Sequence, residues 1–476
     1  MIIKNPLVSI VPIELAASTC ITSVFQHYAS DSWAMLLDSS NSQHKNGRFD
    51  IMVAKPIATI ITTANNSEIK HIDNTIEKSD ANPLSLLQKL INQYLSGVQL
   101  AQTGPSDIPF IAGALGYFGY DLGRHFEYLP NKHFAEYTSP DMAVGLYTWS
   151  IIKDNQDECF YLCSLEGYPH PTPSDIRLLV AQKYKAAKFA LTTAWQANMS
   201  KAKYEQKIEK IKSYLNAGDC YQTNLAQRFT ANYTGDEWRA YLKLRNANQA
   251  PFSAFIRLPT SSILSISPER FLLVRNNKVE TKPIKGTRPR QKDPLADKQQ
   301  IESLLTSQKD QAENLMIVDL MRNDLSKHCE AGTVEVPKLF EIETFAAVHH
   351  LVSTVTAQLK SDKTSIDLLQ GAFPGGSITG APKIRAMEII DELEPNNRNI
   401  YCGSIGYIGI KGDMDTSICI RTLLCEQGNK QNKIYCWAGG GIVIDSEAEA
   451  EYQESLDKVS KILPILDTEV STNIQG

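Results

Sequence analysis

Apolar positions along the chain recur with a short period in some stretches and a helical period in others, and the switches between them mark the elements. Up to about residue 190, short runs rich in Ile, Leu, Val and Phe, bounded by turn residues, predict strands at 33–37, 49–54, 57–63, 143–153 and 158–165. A helix is expected over 84–95. The glycine-spaced run from Gly113 to Gly123 lacks the dinucleotide fingerprint and any surrounding βαβ unit, so it reads as close backbone packing. Proline and histidine between 169 and 174 predict a loop before a helix at 175–191, with a boundary near 192. The expected division is an N-terminal domain at 1–192, a catalytic domain at 193–466 and a loose tail at 467–476.

The second half opens with a helix capped by Ser200, carrying Tyr204, Ile208, Ile211 and Leu215 on one face and stopped by Gly218. A strand at 219–229 places Gln222 and Asn224 on a common face. An antiparallel meander is expected at 253–258, 262–266, 271–275 and 278–284. Leu315, Met316, Ile317, Val318, Leu320 and Met321 surround a helix at 307–325, which predicts burial on all sides. Residues 401–410 and 414–424 read as a hairpin turned at Lys411-Gly-Asp413. Ser446 and Glu449 suggest a capping box for the last helix, where Glu451, Glu454 and Lys458 share one stripe.

Composition narrows the classes. With 476 residues and 42% hydrophobic content the chain can bury a large core, and its net charge of -5 argues against a nucleic-acid binder. Nine cysteines without a Cys-x-x-Cys pair read as reduced thiols rather than disulfides or zinc ligands. An N-terminal apolar run broken by Pro12 and Glu14 fits neither a signal peptide nor a membrane span. A cytoplasmic protein is expected.

Against that background the stretch Thr281-Lys-Pro-Ile-Lys-Gly-Thr-Arg-Pro-Arg290 stands out. Six basic residues between Lys278 and Lys292 read either as a solvated or phosphate-binding rim, or as surroundings that make Lys285 a nucleophile just past a strand end. Asp310 and Glu313 lie one turn apart and read either as interior carboxylates needing a cation, a proton or hydrogen bonds, or as first-turn acids favoured by the helix dipole. Together with Glu451 and Glu454 they would form an all-oxygen site suited to Mg²⁺. Pro374-Gly-Gly-Ser-Ile-Thr-Gly-Ala-Pro-Lys383 lacks the Lys-Ser/Thr ending of a nucleotide loop, and reads either as a helix start suited to a carboxylate or as a plain helix entry with Pro382 near its first position. Arg421 is expected on one strand face with Ser417 and Cys419, either gripping a carboxylate or facing solvent.

Ser267-Pro-Glu-Arg270, Pro283-Ile-Lys-Gly-Thr287, the run from Ala312 to Asp324, Gly376-Ser-Ile-Thr-Gly-Ala-Pro-Lys383, Ile420-Arg-Thr422 and Glu451-Tyr-Gln-Glu454 together resemble the chorismate-utilising enzymes. The likeness covers most of the second half in the family's order, and more weakly the first. The anthranilate-forming branch typically has Ala where this chain has Lys285, so the resemblance is to the branch that aminates chorismate at C4.

It implies an α+β fold, two large mostly antiparallel β-sheets packed together with helices outside, like anthranilate synthase component I. It implies a transferase that converts chorismate and ammonia to 4-amino-4-deoxychorismate, the precursor of 4-aminobenzoate and folate, with Mg²⁺ as cofactor. Lys285 would add to C2, with Glu269 as acid and base. Glu313 and Glu454 would be the main metal ligands, with Asp310 and Glu451 nearby. Arg421 and Lys458 would hold carboxylates, and Thr287, His350, Thr379 and Tyr401 match substrate-contacting positions. Gln222 replaces the water-activating Lys of isochorismate synthases. Ammonia would come from a separate glutaminase subunit, since no Gly-x-Cys-x-Gly segment is present. Ser39, Arg48, Phe49 and Asp50 lie in a stretch similar to the tryptophan pocket of anthranilate synthases, which implies bound tryptophan or its relic. The rivals are an anthranilate-forming enzyme, a non-catalytic regulatory subunit on the same scaffold and, least, a nucleic-acid protein.

Overall fold

Strands whose consecutive residues are all apolar must bury both faces, and this chain resolves that demand with two sheets and an outer layer of helices. The computed structural model describes residues 3–40, 46–100, 104–129, 136–345 and 348–467. Among them, thirteen strands form one sheet and twelve the other. In the larger sheet Met35, Ile51, Ile152, Ile263 and Tyr435 enter the core shared with the second sheet. Their chain neighbours Leu36, Met52, Ile151, Leu264 and Cys436 point the opposite way, into a core covered by helices. The expected α+β class with two packed sheets is the observed one.

Helix limits follow local chemistry. Ser200 accepts from the Lys203 amide and Gly218 closes Lys201–Ala217 at φ 80°. Asn82 caps Pro83–Leu95 and Ser307 caps Gln308–Ser326. The helix expected over 175–191 is Pro173–Ala181, started by a Thr172/Asp175 capping box. Ser446 and Glu449 do not form the expected box: Glu447 is the cap of Ala448–Asp457, and the Ser446 hydroxyl donates to Glu451 at 2.7 Å. Gln308–Ser326 is not buried all round, because Leu315 is 45% exposed.

The boundary near 192 is a seam rather than a gap. Met35–Asp38 pairs with Phe252–Arg257 in one sheet, and Gly113–Phe118 with Ser404–Gly409 in the other, so both sheets run unbroken across it. Close packing explains the Gly113 run, where a Cβ on Gly116 would lie 2.1 Å from the Ala143 carbonyl oxygen. Of the expected tail only Asp467, the last residue of a short helix, is described; 468–476 lie outside the described residues.

Two expected continuous runs are broken by crossings between the sheets. Ser261–Ser267 belongs to the larger sheet and Arg270–Arg275 to the smaller, so the meander changes sheet at Pro268-Glu269. The return crossing comes at Cys419, Ile420 and Arg421, between Met414–Ile418 and Thr422–Glu426. The Ile418 amide donates to the Glu269 carbonyl at 3.0 Å and the Ile266 amide to that of Arg421 at 3.0 Å. Glu269 and Arg421 therefore sit side by side at a place where ladder pairing is interrupted.

Candidate functional site

Lys285 lies inside Ile284–Pro289, not beyond a strand end. The ladder with Val348–Gln358 slips between Ile284 and Thr287, and Gly286 occupies this bulge at φ 80°. A Cβ on Gly286 would come within 2.8 Å of Leu304 and 3.0 Å of Asp310, so only glycine lets the Gln308–Ser326 helix close on the lysine strand. Lys285 Nζ donates to the Ser377 carbonyl at 3.1 Å, and the Ser377 hydroxyl donates to Glu269 Oε1 at 3.1 Å.

Both groups are electrostatically poised. Burial pushes the Glu269 carboxyl up to about 7, with Lys285 pulling the other way. Desolvation holds the Lys285 amine below its ordinary range; Glu313, Glu269 and Glu454 oppose that shift and Lys458 adds to it. The surrounding basic residues contribute less than their number suggests. Lys282 is paired with Glu343, Arg288 with Asp310 and Arg290 with Asp297.

Across the cleft the acid stripe forms as its spacing requires. A Cβ at Gly440 would lie 3.3 Å from Glu451 Oε2, 3.5 Å from Glu454 Oε1 and 3.6 Å from Lys458 Nζ, so all three side chains converge over a bare stretch of strand. Glu313 and Glu451 are raised chiefly by burial, while Lys458, 2.7 Å away, lowers Glu454. The set of Glu313, Glu451 and Glu454 suits a hard cation, and Lys285, Lys309 and Lys458 balance its charge here. Asp310 turns instead to Arg288, at 2.9 Å. Among the described residues no three acids, histidines or cysteines stand close enough to form a finished cluster.

The remaining candidates are spread over several elements. Arg421 adopts φ 51° at the crossing, off the strand face where it was expected, and no ion pair engages it among the described residues. Burial holds its guanidinium below the usual arginine range, and Glu269 pulls the other way. Thr379 is buried in the loop after Ser377, and Tyr401 stacks on Trp437 at an interplanar angle of 5°. Thr287 and His350 bond to each other at 2.8 Å across neighbouring strands. Gln222 is buried, its amide nitrogen donating to Asn224 at 3.2 Å.

Ser39, Arg48, Phe49 and Asp50 lie elsewhere. Arg48 and Phe49 line a cavity of about 380 Å³ with Arg270, Tyr407 and Asp415. Asp50 lies behind it, accepting from the Ser39 amide at 2.8 Å and raised by burial and by Asp38.

The sequence profile of the chorismate binding enzymes matches residues 34–464. The chain belongs to the chorismate binding enzymes. Within that family it is 53% identical over 444 residues to aminodeoxychorismate synthase component 1 of Klebsiella aerogenes, covering 93% of this chain and 96% of the relative. It is 52% identical over 437 residues to the protein of that name in Escherichia coli K12, covering 91% and 93%. Among solved structures of chorismate binding enzymes it resembles anthranilate synthase component I of Streptococcus pneumoniae TIGR4, with TM-score 0.72, 29% identity and coverage of 88% of this chain and 93% of that one.

Three residues of this chorismate binding enzyme carry contacts of which the sequence shows no sign. Ser377 bridges Lys285 and Glu269. Arg398 donates to the Ile378 carbonyl at 3.0 Å while paired with Glu394. Lys383 ties the same loop to Asp324, at 2.6 Å, and to the Ala372 carbonyl, at 2.9 Å. The motif Gly376-Ser-Ile-Thr marked the loop, but no spacing rule links it to Glu269, 108 residues earlier.

Proposed function

We propose that the chain aminates chorismate at C4, giving 4-amino-4-deoxychorismate and water, as a component of 4-aminobenzoate synthesis. The observation that carries this reading is a desolvated lysine joined through one serine to a buried carboxyl that titrates near neutrality. Identity of 52–53% to proteins named aminodeoxychorismate synthase component 1 supports it.

In the proposed sequence neutral Lys285 bonds to C2 of the ring while the C4 hydroxyl departs, and Glu269 gives that hydroxyl its proton so that water leaves. Ammonia then bonds to C4, the ring double bond shifts back, and the C2–N bond breaks to return the amine of Lys285. Glu269 takes up the surplus proton, so the enzyme ends as it began. Arg421, lacking an acidic partner among the described residues, is suited to one substrate carboxylate through its two-pronged donor geometry.

Mg²⁺ belongs to this proposal. Glu313, Glu454 and Glu451 would hold it, with Asp310 released only if Arg288 lets go, and it would supply charge compensation for a substrate carboxylate. We infer that ammonia is delivered by a glutaminase subunit; the relatives' designation as component 1 supports a second component. A reduced, cytoplasmic setting fits nine free cysteines. No helix among the described residues is long and apolar enough to cross a membrane. The cavity at Arg48 and Phe49 falls in the usual ligand-site range of roughly 300–1,000 Å³, and we propose tryptophan as its occupant. Absence of heat on titrating tryptophan would dismiss that assignment.

The deciding experiment incubates the purified chain with chorismate, Mg²⁺ and an ammonium salt at alkaline pH and identifies the products. Aminodeoxychorismate without pyruvate is expected. Anthranilate with pyruvate would overturn the reading, and no product even with a glutaminase present would point to a binding subunit.

A further inference from the structure

The loop Gly375–Thr379 is wedged so tightly that its central residue has little freedom. A Cβ on Gly375 would meet Ile418 Cδ1 at 3.0 Å and Phe271 at 3.2 Å, and one on Gly376 would meet Leu320 Cδ2 at 2.4 Å. The loop thus touches the sheet crossing on one side and the Gln308–Ser326 helix on the other. Downstream, the Ile378 carbonyl accepts from Arg398 and the Thr379 carbonyl accepts from the Asn224 amide at 2.8 Å. Ser377, 8% exposed, is held between these anchors.

We propose that Ser377 is the positioning residue that sets the spacing of the two reacting groups, its hydroxyl orienting Glu269 while its main-chain carbonyl orients Lys285. The inference rests on the amination reading above. The two contacts use different parts of one residue, so they are separable. Replacing the side chain removes the donor to Glu269 and leaves the acceptor for Lys285 in place.

The consequence is a pH signature. A hydroxyl donating to a carboxylate stabilises its ionised form, so losing it raises the carboxyl pKa. The reactive pair, protonated Glu269 with neutral Lys285, carries the same number of protons as ionised Glu269 with protonated Lys285. Activity therefore declines on the acid side as ionised Glu269 takes up a proton, and the acidic limb reports that carboxyl. The charged or titratable groups that face Glu269 are Lys285, Lys458, Arg421 and the Cys402 thiol, none of them altered by the substitution.

The test measures kcat and kcat/KM for chorismate against pH, with saturating ammonium and Mg²⁺, for the parent, Ser377→Ala, Ser377→Thr and Glu269→Gln, alongside their melting curves. In Ser377→Ala we expect kcat to fall about tenfold or more, KM for chorismate to change little, and the acidic limb to move to higher pH by about one pH unit. Ser377→Thr, which keeps the hydroxyl, restores the limb. An acidic limb in Ser377→Ala that coincides with the parent's, or a rate loss that Ser377→Thr leaves unrecovered with melting unchanged, would overturn the proposal. Glu269→Gln separates the two levels. If it turns over like the parent, the acid-base reading itself fails; if it is inactive while Ser377→Ala keeps the parental profile, only the role of Ser377 fails.

Discussion

Removing the Arg398 guanidinium tests how far the site depends on a buried charge pair behind it. Arg398 is 1% exposed and grips Glu394 with two hydrogen bonds, at 2.9 and 2.6 Å, while a third reaches the Ile378 carbonyl. Its guanidinium carbon also lies 4.8 Å from the Tyr120 ring centre and 5.7 Å from that of Tyr401. Opposite charges about 4 Å apart attract by roughly 4 kcal/mol at an effective dielectric near 20, and breaking such a pair strands the remaining charge. Arg398→Met should therefore lower unfolding stability by about 3–5 kcal/mol. Adding Glu394→Gln removes the stranded charge yet keeps an oxygen for the Ala226 amide, which now donates to Glu394 at 2.8 Å. The double variant should regain most of the loss. Urea denaturation followed by circular dichroism reads both, and turnover of the folded single variant should fall by about 10- to 100-fold as Ile378 drifts beside Ser377 and Thr379. A single variant within about 1 kcal/mol of the parent, or a double variant less stable than the single, would refute the charge-burial argument.

Lys285→Ala should slow amination on the order of 10³-fold, with direct attack by ammonia as the residual route, and unchanged turnover would remove this lysine as nucleophile. Glu454→Gln should raise the Mg²⁺ concentration for half-activity by about tenfold or more, so an unaltered metal titration would count against its ligand role. Gly286→Ala combines a left-handed backbone cost of about 1–2 kcal/mol with overpacking against Leu304 and Asp310. Its stability should drop by roughly 2–4 kcal/mol in denaturant titration, and parental stability would mean that the bulge relaxes freely.

Features set by local chemistry are legible along the chain. The cap at Ser200, the Gly218 stop, and strands at Phe49–Val53 and Ala58–Thr63 follow from rules acting within a few residues. The stripe of Glu451, Glu454 and Lys458 was legible for the same reason, since helical geometry fixes neighbours at one-turn spacing. Motif likeness singled out Lys285 and Glu269, but pattern alone placed Glu269 inside a meander and Arg421 on a strand face. Both lie instead where the chain passes between sheets, because alternation of apolar residues reads the same in either sheet and carries no sign of which one a strand joins. The electrostatics likewise depend on long-range packing. Which basic residues near Lys285 are neutralised depends on Glu343, Asp310 and Asp297, each from a different part of the chain. The desolvation that readies Lys285 and Glu269 exists only once the walls of the cleft have closed around them.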